Sequence, residues 1–402
     1  MPMWLEWTIA TKFLREGRTQ TALIMVGIAV GVSVIVFLSA LIDGLQDNII
    51  ERTLGTQAHI KVEAPDEVNQ VVPLAGGTMQ LVLEDKRAQR LRSINNWQQV
   101  RDTLDALPEV TAVSPLISGP AFARRGSTLE SVALMGIDEV RYQKIIPIRN
   151  DMVAGQFRVG AGDAVIGSRL AWDLGLRVGD KLRLDAGQGG DSVVNVAGIF
   201  ELGVRELDSR YVYLDMKQAQ SLLGLPGAAT VIDVTVKDIF AADTVAQRIT
   251  RLTGQKAESW MQTNGQLMNA LKSQSLSTRM ISLFVAVSVA FGIASVLSVS
   301  VVQRTREIGI LRAMGATRAQ MLRVFLLQGA LFGLAGSVVG GTAGYGLVWL
   351  FNAFGPRLFQ IPVSPLLLLA ATILATVTGV ISAAIPARRA ARLDPVVAIR
   401  HV

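Results

Sequence analysis

The sequence predicts a membrane protein of four transmembrane α-helices, with a large α+β domain inserted between helices 1 and 2. Three observations predict it. Half of the 402 residues are apolar and only 18% are charged, against about a quarter in soluble domains. Four stretches of membrane-crossing length, 21–42, 280–302, 324–351 and 366–386, contain no Asp, Glu, Lys, Arg or His. Between the first two lies the segment 43–279, whose short apolar runs are punctuated by Gly, Asp and Pro as in a folded body.

The formal charge is +7, but the basic residues lie beside the apolar runs rather than on one soluble face, which argues against nucleic acid as a partner. There is no cysteine, which excludes a disulfide scaffold, thiol chemistry and a thiolate metal site.

Residues 1–20 form a cytoplasmic, interfacial segment. Within it, Met3 to Arg18 places Trp4, Trp7 and Leu14 on one helical face beside basic residues, the pattern of a short helix lying at a membrane surface. The first span, 21–42, is long enough to cross about 30 Å of hydrocarbon at ~1.5 Å per residue. It exceeds the apolar core of a signal peptide, and Ser39 to Asp43 is a poor cleavage site, so it reads as an uncleaved anchor.

Past the first span, Leu45, Ile49, Ile50 and Leu54 continue a helical face, and Leu267, Met268 and Leu271 mark a matching face before the second span. These two segments read as stalk helices at the ends of the 43–279 domain. Between them, strands are predicted at 59–62, 110–114, 131–136, 164–166, 181–184, 193–200, 211–214 and 231–236, and helices at 97–107, 168–174, 216–223 and 241–252. The run 187–191 reads as a hairpin turn, and 66–92 as a polar, irregular loop.

Span 2 (280–302) leads into a basic loop at 303–323 holding Arg304, Arg306, Arg312, Arg318 and Arg323. Span 3 (324–351) carries Gly329, Gly333, Gly336, Gly340 and Gly344 along one side, a surface for close helix packing. Gly27 and Gly31 offer a smaller one in span 1. A short loop at 352–365 precedes span 4 (366–386), and the tail 387–402 is basic again. The positive-inside rule therefore places 1–20, 303–323 and 387–402 in the cytoplasm and 43–279, with 26 basic and 28 acidic residues, outside.

The spans lack the ionisable groups of ion-coupled carriers. No G-x-x-x-x-G-K-[ST] is present, and the two histidines, His59 and His401, are far apart, so no nucleotide-phosphate cradle, zinc site or histidine-based triad is expected. No catalytic or metal residues are nominated, and the chain is not expected to be an enzyme.

The loop reads RTREIGILRAMGATRAQMLRVFLLQG from Arg304 to Gly329, and the tail reads PARRAARLDPVVAIR from Pro386 to Arg400. Together they resemble the MacB/FtsX-like family of ABC transporter permeases, which includes the lipoprotein-releasing permeases LolC and LolE. AVIGSRLAWDLGLRVGDKLRL, VVNVAGIF and SRYVYLDMKQAQSLLG are similar to segments of that family's periplasmic domain, and KDIFAADTVAQRI and ESWMQTN point to the LolE-like branch.

The resemblance implies a bacterial inner-membrane permease with both termini cytoplasmic, paired with a second permease copy or a related permease and with two copies of a separate ATPase. ATP and Mg would then bind to that ATPase, with no cofactor on this chain. The family's loop pattern E-I-G-x-L-R-A-x-G-A falls on Glu307 to Ala316, so Glu307, Gly309, Leu311, Arg312, Gly315 and Ala316 are the implied ATPase contacts. Arg388, Arg389, Asp394 and Pro395 are the implied tail anchor. Nucleotide-driven motion of the stalks, called mechanotransmission, would extract or export a lipid-like, lipoprotein or other hydrophobic substrate.

One departure stands out. LolC-type permeases carry a long hook between two external strands, whereas 185–192 leaves room only for a tight turn. This suits a LolE-like half of a heterodimer, or a MacB-like homodimer working with a periplasmic adaptor rather than a lipoprotein carrier. An alternative implied by the same family is an FtsX-like signalling subunit acting on a periplasmic partner.

Overall fold

The computed structural model describes residues 3–16, 18–66, 91–187, 190–355 and 359–393. In chain order the elements are α1 (Met3–Glu16), α2 (Arg18–Gly55), β1 (Ile60–Glu63), α3 (Trp97–Asp105), β2 (Val110–Arg125), β3 (Thr128–Ile137), α4 (Glu139–Tyr142), β4 (Met152–Gly155), β5 (Asp163–Gly167), α5 (Ser168–Asp173), β6 (Lys181–Asp185) and β7 (Asp191–Phe200). There follow α6 (Arg205–Arg210), β8 (Tyr211–Asp215), α7 (Met216–Leu222), β9 (Val231–Val236), α8 (Ala242–Thr253), β10 (Lys256–Ser259), α9 (Trp260–Thr263), α10 (Gly265–Gln303), α11 (Thr305–Ala313), α12 (Arg318–Phe354) and α13 (Pro365–Arg392). The chain divides into a helical unit, Met1–Ile50 with Asn269–Val402, and an inserted unit, Glu51–Met268.

In the helical unit, α2, α10, α12 and α13 are each long and apolar enough to cross a membrane. Their outward residues stay apolar, as at Leu23, Phe291, Leu334 and Ile381, because lipid rather than water is the solvent there. The glycine line of α12 is buried within this one chain. A Cβ on Gly329 would run into the carbonyl oxygen of Gly379, and one on Gly333 would sit 2.6 Å from that of Ala375, so both glycines let α13 approach. On the same helix, a Cβ on Gly340 would lie 2.5 Å from the carbonyl oxygen of Ala29 and one on Gly344 3.0 Å from Val36, which brings α2 close. Gly336 meets Ile28. In α2, Gly31 faces Val289 of α10, while Gly27 faces open space and packs against nothing.

α13 runs past Pro386 to Arg392, since Ala383, Ala387, Ala390 and Ala391 keep its buried face continuous across the missing N–H of the proline. α1 buries Glu6, Ala10 and Phe13 against the helical core, while Trp7, 48% exposed, turns away from it. The side chains of Trp4 and Leu14 lie outside the described set.

The inserted unit holds one mixed sheet in the order β10-β1-β9-β2-β3-β8-β5-β7-β4, with β6 pairing both β2 and β7. That last pairing closes a barrel of β2, β3, β8, β5, β7 and β6. Inward residues such as Ile117, Leu134, Ile166, Leu182, Val194 and Val212 fill it, so it is a packed core and not a channel. The 16-residue β2 joins the two halves: its start pairs with β9 and its end with β3 and β6.

All eight expected strands and the four expected helices of this unit are present, with β2 extending eleven residues past Ser114 to Arg125. The short elements β4, β10, α4, α6 and α9 went unpredicted. The helix carrying the expected stalk face at Leu267, Met268 and Leu271 is α10 itself, which begins just after Asn264. The β6–β7 hairpin closes with Asp185 opposite Asp191. Most of the loop expected at 66–92 lies outside the described residues.

Candidate functional site

The loop between α10 and α12 is built as a helix with two engineered-looking ends, each explained by local chemistry. α10 breaks at Arg304, whose φ of −105° and ψ of 16° leave the helical region, and α11 follows. Gly315 ends α11 in the left-handed region at φ +98°. The Ala316 N–H donates to the Leu311 carbonyl at 3.1 Å and the Gly315 N–H to that of Arg312 at 3.1 Å, the paired bonds of a Schellman cap. Leu311 and Ala316 both pack on the helical core, which completes that cap. Thr317 and Gln320 then start α12 with a reciprocal capping box: the Gln320 N–H donates to Thr317 Oγ1, and the Thr317 N–H to Gln320 Oε1.

Three arginines tie this loop to its surroundings. Arg312 Nη1 donates to the carbonyls of Ala391 at 3.1 Å and Leu393 at 2.5 Å, capping the negative end of α13. Arg304 Nη2 donates to the Phe13 carbonyl at 2.8 Å and the guanidinium lies 4.5 Å from the Phe13 ring centroid, fixing the end of α1. Arg323 pairs at 3.4 Å with Glu6, whose side chain is only 5% exposed. Arg304 and Arg323, which the positive-inside rule alone had explained, thus also hold α1 in place.

The six implied contact residues therefore divide. Glu307 and Gly315 are exposed; Gly309 is buried; Leu311, Arg312 and Ala316 are half-buried and serve the loop's own fold. The motif instead turns outward at its two unspecified positions, Ile310 at 44% and Met314 at 75% exposure. Sequence reasoning passed over both, although Glu307, Ile310 and Met314 share one side of a helix at spacings of three and four. Arg388 and Arg389 are exposed on the last turns of α13, while Asp394 and Pro395 lie outside the described residues. With Arg306, Arg318 and Arg392 also exposed, the surface around α11 is basic.

A second polar site lies in the inserted unit. Asp233 of β9 is 4% exposed and stands opposite Lys61 of β1 and Ser114 of β2. Burial pushes its carboxyl up to about 6, against the opposing pull of Lys61 and with a small further push from Glu63. Burial also drives the phenol of Tyr142 well up, with Tyr213 beside it at a ring separation of 5.6 Å. Among the described residues, Asp233 Oδ1 and Ser114 Oγ have no hydrogen-bond partner. No group of three or more potential metal ligands exists among the described residues.

Comparison with known proteins agrees with these features. The MacB-like periplasmic core domain matches residues 21–252, and the FtsX-like permease C-terminal domain matches 279–395. The chain is 26% identical to the lipoprotein-releasing system transmembrane protein LolC of Xylella fastidiosa, over 94% of this chain and 92% of that one. It is also 26% identical to LolE of Haemophilus influenzae, over 78% of this chain and 74% of that one. Against the macrolide export ATP-binding/permease protein MacB of Acinetobacter baylyi it is again 26% identical, over 95% of this chain but 57% of the relative. The chain belongs to the MacB/FtsX-like family of ABC transporter permeases, and the domain between α2 and α10 is its periplasmic core. Equal identity to LolC, LolE and MacB leaves the branch open.

Proposed function

We propose that this chain is the permease subunit of a mechanotransmission transporter, in which a separate ATPase drives the periplasmic domain to extract or export a lipid-like, lipoprotein or other hydrophobic substrate. One observation carries the reading. α2 and α10 are single helices of 38 and 39 residues that begin or end in the helical unit and continue unbroken into the periplasmic domain. At ~1.5 Å per residue each is nearly 60 Å long, about twice the hydrocarbon thickness, so each is a rod able to carry displacement. Gln46 Nε2 donates to Ser275 Oγ at 3.2 Å, linking the two rods past their apolar runs.

The ATPase pair docks at α11 on Glu307, Ile310 and Met314, with Arg388 and Arg389 beside it, and ATP and Mg bind on that partner. Charge supports the orientation: segments 1–20, 303–323 and 387–402 hold 12 of the 39 basic residues and only 4 of the 32 acidic ones, as expected where both termini are cytoplasmic. Names of relatives support the cargo class, since a lipoprotein carries apolar acyl chains and a macrolide a large, mostly hydrocarbon ring. A second permease copy or a related permease completes the assembly, with a periplasmic adaptor or carrier receiving the substrate.

The test is reconstitution with the cognate ATPase. Ile310→Asp with Met314→Asp should abolish ATPase association and substrate release while leaving the fold intact, because both side chains are exposed. Wild-type association and release by that double variant would refute the docking site. A complex that binds the ATPase yet moves nothing from or across the vesicle would point to FtsX-like signalling instead.

A further inference from the structure

A cavity of about 360 Å³ opens within the inserted unit, lined among others by Arg52, Gln57, Lys61, Glu206, Asp233 and Asn264. Its volume falls at the small end of ligand pockets. Two of the lining residues each hold a buried atom without a partner among the described residues: the acceptor Asp233 Oδ1 and the donor Gln57 Nε2. A buried carboxylate oxygen without a donor is costly, and so is an unmet amide N–H, so the pair marks a place built to be completed by another molecule.

The charges say which kind. Two basic and two acidic side chains line the cavity, so a ligand of net charge would leave one of them uncompensated. Lys61 and Asp233 are Cα partners on adjacent antiparallel strands, which sets opposite charges side by side about 5 Å apart at their Cβ atoms. We propose that this cavity binds a small zwitterion, whose ammonium donates to the Asp233 carboxylate and whose anionic group faces Lys61 and the Gln57 amide. The aminoethyl phosphodiester of glycerophosphoethanolamine, one negative and one positive charge, is such a zwitterion. Such a group occurs free in solution and as the headgroup of phosphatidylethanolamine.

The experiment uses the full chain in its assembly, in nanodiscs of phosphatidylglycerol, titrated calorimetrically with soluble glycerophosphoethanolamine. Saturable binding of one molecule per chain is expected, weakened at least tenfold by Asp233→Asn and likewise by Lys61→Met. Glycerophosphocholine, whose quaternary nitrogen has no N–H to donate, should bind at least tenfold more weakly. In nanodiscs of phosphatidylethanolamine, loss of the soluble ligand's binding identifies the lipid headgroup as occupant, and unchanged binding identifies a free zwitterion. No saturable binding in phosphatidylglycerol, or binding that both substitutions leave unchanged, overturns the proposal and leaves a cavity holding only water. Thermal unfolding of each variant separates lost binding from lost folding.

Discussion

Arg312 shows how one side chain answers to two readings. Its guanidinium caps the carbonyls of Ala391 and Leu393, so its first effect is to fasten α11 to the end of α13. Arg312→Glu sets a carboxylate against those carbonyls and is expected to cost about 1–3 kcal/mol, whereas Arg312→Lys retains one charge-assisted bond and costs less. Thermal unfolding in detergent reads both. Asp233 acts in the opposite sense, because its burial disfavours the ionised form. A raised carboxyl means that the folded state holds its proton where the unfolded state has lost it. Its contribution is therefore most favourable below about pH 4 and is lost as pH rises through about 6. Lys61, on the facing strand, offsets part of this penalty, while Glu63 adds to it. Asp233→Asn should raise stability at neutral pH by up to about 3 kcal/mol and remove that pH dependence, as a pair of thermal unfolding series at pH 5 and 7.5 would register.

At the scale of elements, the glycine line of α12 sets how near α2 and α13 come. Gly333→Leu and Gly340→Leu each force side-chain atoms into a neighbouring backbone and are expected to destabilise by about 1–3 kcal/mol, while Gly27→Ala, facing open space, should be neutral. Unfolding of the three variants in one detergent checks this. That the glycines pack was legible from their spacing; which helices they pack on was not, because spacing defines a face and only tertiary structure names its neighbour. Much the same holds in the inserted unit. Strands such as Val193 to Phe200 announced themselves by alternation, whereas the four-residue β4 and β10 are too short to show a period and exist by pairing with β7 and β1. Loop 303–323 was legible by resemblance, whereas the burial of its individual residues was not. Leu311, Gly315 and Ala316 form a helix cap, and the motif's specified letters largely record that internal work. The capping box at Thr317 and Gln320 and the outward spacing of Ile310 and Met314 were both present in the sequence and went unread.

For the whole molecule, charge and continuity matter most. The absence of natural cysteine makes topology directly testable: Met314→Cys should react with an impermeant thiol reagent only from the cytoplasmic side, and Thr128→Cys only from outside. Reversal of either label would undo the orientation. The central claim is that α2 and α10 transmit ATPase motion as rods. The most direct measurement is ATP hydrolysis and substrate release by the reconstituted complex after inserting Pro-Gly between Asp47 and Asn48 of α2. The predicted result is hydrolysis that continues while release is lost, because the rod is broken beyond the apolar run and the docking surface is untouched. Release at the wild-type rate through the broken helix would contradict mechanical transmission.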